Sequence, residues 1–364
     1  MTLSQPDGAV AEPRPQDTLV EGLVTDGARG QYHVATPEGV LLCTLRGRLR
    51  KELLYPISAS LRQKARRANV KARDPLTAGD RVQVIPMGAG RGTIEKVLPR
   101  EGGAFTREDP GVSSGSGAGT VTPVAGVDQL IAVFAARDPA PHLGLLDRLL
   151  VVAESQSLGA AVCLNKVDLG ATAETLRRLE YYRGLGYPVV HVSAASGEGL
   201  PELRRLLSGR TSAFVGPSGV GKSSLLNALE PGLGLKVSEI SQVTHKGRHT
   251  TSGTRVVPLA GEDSGAVADT AGIRALALSG AAPGHLDWCF RELRPFRGRC
   301  HHSDCTHRQE PGCAVRAAVD GGELDGARFE SYLRLYASGA GGRGRIWRDL
   351  TSSRSLVGEG ELRL

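Results

Sequence analysis

The chain has 364 residues, enough for two to three domains with separate cores, and its hydrophobic content of 40% is that of a folded protein. Lysine and arginine total 45 against 38 aspartates and glutamates, and the formal net charge of +7 favours a polyanionic partner without saying anything about fold. No apolar run reaches membrane-spanning length, and residues 1–17, which contain Pro, Asp and Glu but no apolar stretch, read as a disordered extension and not a signal peptide, so a cytoplasmic location and no membrane partner are expected.

Residues 18–108 alternate short β-type runs with Gly, Asp and Pro turns: Leu19–Thr25, Gln31–Thr36, Val40–Leu45, Arg81–Ile85 and Thr93–Leu98. Five such runs predict a small five-stranded barrel of the OB type. Between the third and fourth lies the most basic part of the chain, which carries Arg46, Arg48, Arg50, Lys51, Arg62, Lys64, Arg66, Arg67, Lys71 and Arg73 and, as far as Asp74, only Glu52 and Asp74 against them. A charge run by itself is as often a solvated loop, but in the long loop of an OB barrel it points to a nucleic-acid backbone. With only Tyr32 and Tyr55 nearby, structured RNA held by phosphate and shape contacts fits better than a stacked single strand. Residues 109–120, dominated by Gly and Ser, read as a flexible linker.

Residues 121–278 carry nucleotide chemistry. A strand at Val127–Phe134 and a helix at His142–Ser155 precede a strand at Ala160–Leu164 that runs into Asn165-Lys166-Val167-Asp168. At a strand end this tetrapeptide reads guanine: the Asp168 carboxylate accepts from both N1–H and the exocyclic amine, a donor pair that adenine lacks. Asn165 would support the loop and the base's other edge, and the Lys166 stem would pack over the ring. A helix at Ala173–Tyr182 and a strand at Pro188–Val192 lead to Ser193-Ala194-Ala195-Ser196-Gly197, a turn that resembles the loop supporting guanine O6.

After a short helix at Leu200–Leu207 and a strand at Thr211–Val215 comes Gly216-Pro217-Ser218-Gly219-Val220-Gly221-Lys222-Ser223, followed by the helix that opens at Ser224. This is a phosphate-binding P-loop, whose backbone N–H groups wrap a phosphate, with Lys222 reaching the β- and γ-phosphates and the Ser223 hydroxyl ligating magnesium. A long polar segment, Ser238–Arg255, holds Lys246-Gly247-Arg248-His249-Thr250-Thr251; Thr251 and Thr250 are both candidates to complete the magnesium shell. Ala266–Ala268 then runs into Asp269-Thr270-Ala271-Gly272, where Asp269 would hold magnesium through water and the Gly272 N–H would sense the γ-phosphate. The base-reading pair precedes the phosphate-binding set, the reverse of an ordinary GTPase, so the domain is a circularly permuted P-loop GTPase using GTP or GDP with Mg²⁺.

Residues 279–337 place Cys300, Cys305, His307 and Cys313 in one tight segment, a donor set that suits a closed tetrahedral Zn²⁺ site; His301 or His302 could stand in for His307, and disulfides are the competing account. Apolar positions Val315, Ala318, Phe329, Tyr332, Leu333 and Tyr336 predict helices around the metal, and six arginines between Arg291 and Arg316 make a second basic surface. Cys43, Cys163 and Cys289 read as core residues, and residues 338–364 as a flexible tail.

From Leu19 to Tyr336 the chain resembles the bacterial family of ribosome small-subunit-dependent GTPase A, on the motifs above and on Leu146-Asp147-Arg148-Leu149-Leu150 and His249-Thr250-Thr251. The resemblance implies a multidomain α/β architecture of OB barrel, permuted GTPase domain and helical zinc module. It also implies a monomer that binds the small ribosomal subunit and its 16S rRNA during late subunit maturation and hydrolyses GTP under that subunit's stimulation. Ala271 departs from the proline common in the family. Ile273 stands where Ras-like enzymes carry a water-orienting glutamine, so slow intrinsic hydrolysis is expected, with His249, the ribosome or both supplying the missing function.

Overall fold

The computed structural model describes residues 19–28, 30–54, 75–99, 103–114, 117–233, 254–261, 265–270 and 285–340. Residues 1–17, the basic stretch from Arg62 to Arg73, His249, Thr250, Thr251, Gly272 and Ile273 lie outside the described residues.

Strands β1 (Val20–Ala28), β2 (Gln31–Thr36), β3 (Gly39–Leu45), β4 (Arg81–Gly88) and β5 (Arg91–Val97) form a closed barrel in the order β1-β2-β3-β5-β4, and helix α1 (Gly47–Leu54) follows β3. The neighbours are antiparallel except β3 and β5, which run parallel from Leu42 beside Arg91 to Leu45 beside Ile94. Period-two alternation turns Tyr32 and Val34 of β2, and Val82 and Val84 of β4, into a core shared with Val24, Cys43, Leu76 and Ile94. Burial pushes the Cys43 thiol up to about 11, in keeping with an inert packing role.

The linker expected at residues 109–120 is strand where it is described: residues 109–114 belong to β6 (Gly103–Ser114) and residues 117–120 to β7 (Gly117–Val127), which pair as an antiparallel hairpin with Glu108 beside Thr120 and Asp109 beside Gly119. The glycines and serines outweigh Val112, Thr120, Val121 and Thr122 in a composition count, yet these β-branched residues suit extended backbone. The end of β7 is anchored: Val124, Ala125 and Val127 are buried, and the Ala125 N–H donates to the Ala78 carbonyl at the foot of the barrel at 2.9 Å.

A six-stranded sheet follows, built from β8 (Gln129–Ala135), β9 (Gly159–Asn165), β10 (Val189–His191), β11 (Thr211–Val215), β12 (Thr254–Pro258) and β13 (Ala266–Thr270) in the order β10-β9-β8-β11-β13-β12. All neighbours are parallel except the edge strand β12. Helices α2 (Leu143–Ser155), α3 (Ala173–Gly184), α4 (Leu200–Leu207) and α5 (Lys222–Leu229) cover it. Every residue of β8 is buried, as a parallel strand sandwiched between helices requires. Leu130, Ala132 and Phe134 face Leu146, Leu149 and Leu150 of α2, while Ile131, Val133 and Ala135 face Leu203 and Leu207 of α4 and Leu225, Leu226 and Leu229 of α5. The polar exception, Gln129, is paired in full: its amide donates to Leu206 O and Ser212 Oγ, each at 2.9 Å, and its carbonyl accepts from Arg210 at 3.1 Å.

Strand β12 begins inside the segment expected to be a polar loop through Arg255. Its buried Val256 and Val257 are too few to outweigh the polar residues before them in the sequence. The barrel lies against this edge: β1 packs on β12, and Leu23 and Ala78 join the core cluster that contains Val124 and Val256.

The C-terminal module has two 3-10 turns, Asp287–Cys289 and Arg291–Phe296, and helices α6 (Ala314–Asp320) and α7 (Gly326–Ala340). Its core of Leu286, Phe290, Leu293, Val315, Ala318 and Tyr332 includes Val151 from α2, so the module is packed onto the helix that covers β8 and β9. Helix α7 extends to Ala340, past the expected start of the tail at residue 338. Once packing at Tyr332 and Leu335 has nucleated the helix, a further turn adds one hydrogen bond per residue at little cost.

Buried charge reinforces this docking. Arg328, 1% exposed, donates from Nε to Glu292 at 2.6 Å and from its terminal nitrogen to Asp147 of α2, and its guanidinium lies over the Tyr182 and Phe290 rings at 5.4 and 4.6 Å. Tyr182 of α3 donates to the same Asp147 oxygen at 2.5 Å. Glu154, two turns along α2, receives Arg291 at 2.7 Å and Arg294 at 2.6 Å, and Arg178 of α3 meets Asp325 at 2.7 Å.

Candidate nucleotide site and metal centre

β11 ends in the middle of the sheet and α5 begins at Lys222, so residues 216–221 turn at the C-terminal ends of the strands, where doubly wound sheets leave a binding crevice. Gly216 allows the close approach to β8: a Cβ there would sit 2.0 Å from the Val133 carbonyl oxygen. Gly221 is held at φ +92°, and a Cβ would come within 2.3 Å of the Asn165 side-chain nitrogen. Ser218 and Gly219 are exposed at the tip, Val220 is buried, and Ser223 is buried one residue into α5, with Ser224 half-buried beside it. The Lys222 ammonium donates to the Gly216 and Pro217 carbonyls, each at 2.8 Å, and so is folded back over the loop it would share with a phosphate.

The base-reading turn stands beside it. β9 ends at Asn165, Lys166 takes a left-handed φ of +60°, and Asp168 lies exposed in the short 3-10 turn Val167–Leu169. Asn165 is 1% exposed; its amide donates to the Val220 carbonyl at 2.9 Å, and its side-chain carbonyl accepts from the Ala194 N–H at 3.2 Å. One side chain thus ties the P-loop, the base-reading turn and the Ser193–Gly197 turn together. That third turn is closed by Ser193, whose hydroxyl accepts from Ser196 N–H at 3.1 Å and whose carbonyl accepts from Gly197 N–H at 2.9 Å. The Lys166 ammonium donates to the Asp138 carbonyl at 2.5 Å, a contact from the loop after β8 that no motif announces.

Asp269 lies on β13 beside Phe214 of β11, which brings this backbone to the same end of the sheet as the P-loop. Among the described residues, then, a phosphate cradle, an exposed carboxylate suited to guanine and the strand end carrying Asp269 converge on one crevice.

The sheet order also fixes the topology, because the strands bearing the base-reading turns, β9 and β10, precede β11 in the chain while lying on its far side from β13. Residues 112–279 match the family model for the RsgA GTPase. A small ribosomal subunit biogenesis GTPase RsgA from Gemmatimonas aurantiaca is 39% identical over 321 residues, spanning 87% of this chain and 97% of that protein.

The chain belongs to the RsgA GTPase family. An RsgA from Moorella thermoacetica is likewise 39% identical, over 319 residues covering 87% of this chain and 97% of the relative. Two solved structures are similar: YjeQ from Thermotoga maritima, at 33% identity and TM-score 0.64 over 90% of this chain and all of that one, and YloQ, a circularly permuted GTPase, at 26% identity and TM-score 0.64 over 92% of this chain and all of that one. As a member of the RsgA family the chain is a GTP-hydrolysing enzyme with a circularly permuted nucleotide domain.

In the C-terminal module the ligating atoms of Cys300, Cys305, His307 and Cys313 all lie within 4.8 Å of one another. His307 Nδ1 is 3.5 Å from the Cys300 and Cys305 sulfurs and 3.4 Å from that of Cys313, and the Cys300 and Cys313 sulfurs are 4.0 Å apart. A tetrahedron with Zn–S of about 2.3 Å and Zn–N of about 2.0 Å puts sulfur and nitrogen about 3.5 Å apart and two sulfurs about 3.8 Å apart, so the cluster is compatible with zinc. His301 and His302 are exposed and outside it. The far nitrogen of His307 faces Asp287, whose oxygen is 3.8 Å away, and this carboxylate raises the imidazole to about 9 against the lowering effect of burial. Asp287 is the sort of outer partner that orients a ligating histidine, and nothing in the cysteine spacing marks it.

Proposed function

We propose that this GTPase acts in biogenesis of the small ribosomal subunit: it binds the subunit through 16S rRNA, hydrolyses GTP under the subunit's stimulation, and is released on hydrolysis. The observation that carries the nucleotide half is the Asn165 clasp, which joins the P-loop to both base-reading turns. The subunit half is supported by the relatives, which are named for small-subunit biogenesis, and by the basic run in and after α1. A cytoplasmic monomer fits this role.

In the bound state Asp168 reads the guanine edge, the Lys166 stem covers the ring, the turn that opens at Ser193 and Ala194 supports O6, and the N–H groups of Gly216, Ser218, Gly219, Val220, Gly221, Lys222, Ser223 and Ser224 line the phosphates, with the Lys222 ammonium moving from its carbonyl partners to the β- and γ-oxygens. Mg²⁺, held by Ser223, Thr251 and, through water, Asp269, would neutralise charge on those oxygens. Gly272 N–H senses the γ-phosphate and His249 is the candidate to orient water, since Ile273 has no group that can. The Cys300, Cys305, His307 and Cys313 set would hold Zn²⁺ with four protein ligands, which would give the ion a structural role and leave substrate chemistry to the crevice.

The test is phosphate release by the purified chain with and without purified small subunits. Stimulation by the subunit supports the proposal. Unchanged slow turnover, with retained binding, would instead mark an RNA-binding zinc protein for which GTP is a structural switch.

A further inference from the structure

Cys305 and His307 are separated by one residue, and the chain between them turns back sharply enough that His307 adopts φ +60°, a left-handed conformation that side chains other than glycine rarely take. Such a turn points successive backbone N–H groups into one concavity, which makes an anion site. Here the anion comes from the chain itself. One Glu310 oxygen accepts from the Thr306 N–H at 2.8 Å and from the Thr306 hydroxyl; the other accepts from the N–H of Arg308 at 2.8 Å and of Gln309 at 3.0 Å. Three of the four consecutive N–H groups from 306 to 309 are thereby gathered on one carboxylate.

Three further contacts fix the rest of the cage, and none of them reaches the N–H groups of this turn. Arg316 N–H donates to the Cys313 sulfur at 3.5 Å, His301 N–H to the Gly312 carbonyl at 3.0 Å, and the Tyr332 hydroxyl to the Thr306 carbonyl at 2.8 Å. Among the described residues, only Glu310 reaches the N–H groups on both sides of His307.

We infer that Glu310 is the positioning residue of the Cys300, Cys305, His307 and Cys313 cluster: its carboxylate holds the left-handed turn that presents His307 Nδ1 to the three sulfurs. This inference rests on the reading of the cluster as a zinc site. A carboxylate is required, because an amide would set its own N–H donors against backbone N–H donors on one side.

The experiment compares wild type, Glu310→Gln, Glu310→Asp and Thr306→Val as full-length chains. Zinc affinity is measured by competition with a chromogenic chelator, and ligation by the absorption of the Co²⁺-substituted protein. Loss of an outer partner of a ligand typically costs about 10–100-fold in metal affinity, and that is the loss expected for Glu310→Gln, with a cobalt spectrum that departs from three-sulfur, one-nitrogen tetrahedral ligation. Glu310→Asp and Thr306→Val, which keep the charge or the backbone bonds, should fall between. Guanine-nucleotide binding, carried by a separate core, reports that each variant is folded. A Glu310→Gln chain that binds nucleotide, keeps zinc affinity within about threefold of wild type and keeps the wild-type cobalt spectrum overturns the inference while leaving the zinc site standing. A wild-type chain that takes up no zinc under reducing conditions overturns both.

Discussion

The side-chain amide of Asn165 donates to the main-chain carbonyl of Val220 across 2.9 Å, inside a space that a Cβ on Gly221 would fill. A base-reading residue and a phosphate-binding loop 55 positions apart in sequence are thus built as one part. Asn165→Ala leaves the Val220 carbonyl and the Ala194 N–H without this partner, which costs about 1–3 kcal/mol for buried groups. Guanine-nucleotide affinity should fall by about 5–150-fold, for GDP and GTP alike, as read by calorimetry. An Asn165→Ala chain with wild-type affinity would show that the clasp is ornamental to binding.

Asp168 should decide the base. Asp168→Asn keeps an acceptor for the guanine N1–H but puts an amide donor opposite the exocyclic amine, and a site left with mismatched polar groups discriminates by about 100-fold or more. Xanthine nucleotide, which keeps N1–H and carries a carbonyl acceptor at C2 in place of the amine, should gain what GTP loses. Competition between GTP, xanthosine triphosphate and ATP on both proteins checks the exchange, and equal competition by ATP and GTP on the wild type removes the guanine assignment.

The Arg328 contacts make a separate prediction about the module's seat. Arg328→Ala leaves Asp147 and Glu292 buried without their cation, and stripping one partner from a buried pair costs about 3–5 kcal/mol. Amide hydrogen exchange should quicken throughout residues 285–340 and along α2, while the barrel strands keep their protection. Uniform behaviour across the chain would mean that the docking does not depend on this charge.

Salt should report the RNA contacts. Each phosphate neutralised contributes a slope of about 0.7–0.9 in the logarithm of affinity against the logarithm of salt. Neutralising Arg62, Lys64, Arg66 and Arg67 together should weaken association with the small subunit and flatten that slope. A weaker complex with an unchanged slope would place the effect in folding of the barrel.

Metal removal gives the last prediction. Cys313→Ser removes a ligand whose sulfur also caps the first turn of α6, accepting from Arg316 N–H. The module around Phe290 and Tyr332 should loosen, read as lost protection from proteolysis, while nucleotide binding persists because the crevice is built on the sheet.

The sequence made the barrel, the P-loop, the base-reading turn and the cysteine–histidine set legible because each is a local pattern: alternation in Gln31–Thr36, a fixed glycine spacing from Gly216, ligands within one short segment. What it hid was composed of long-range pairs. Arg328 and Asp147 are 181 positions apart, and neither belongs to a run that marks it as buried. The hairpin through residues 109–120 was hidden by its glycines, whose composition suits a linker while their neighbours pair as strands. Glu310 was passed over because a lone acidic residue beside a metal motif looks like surface charge until its four donors are seen.

The two flanking modules sit on different halves of the sheet. The barrel rests on β12, at the edge that also carries β13, and the metal module is bolted through α2 and α3 to the half built on β8, β9 and β10. Six strands at about 4.8 Å spacing set about 24 Å between the outermost strands. A shift of β12 and β13 against β8 and β9 would therefore be carried to the barrel and the metal module as a change in the spacing between them.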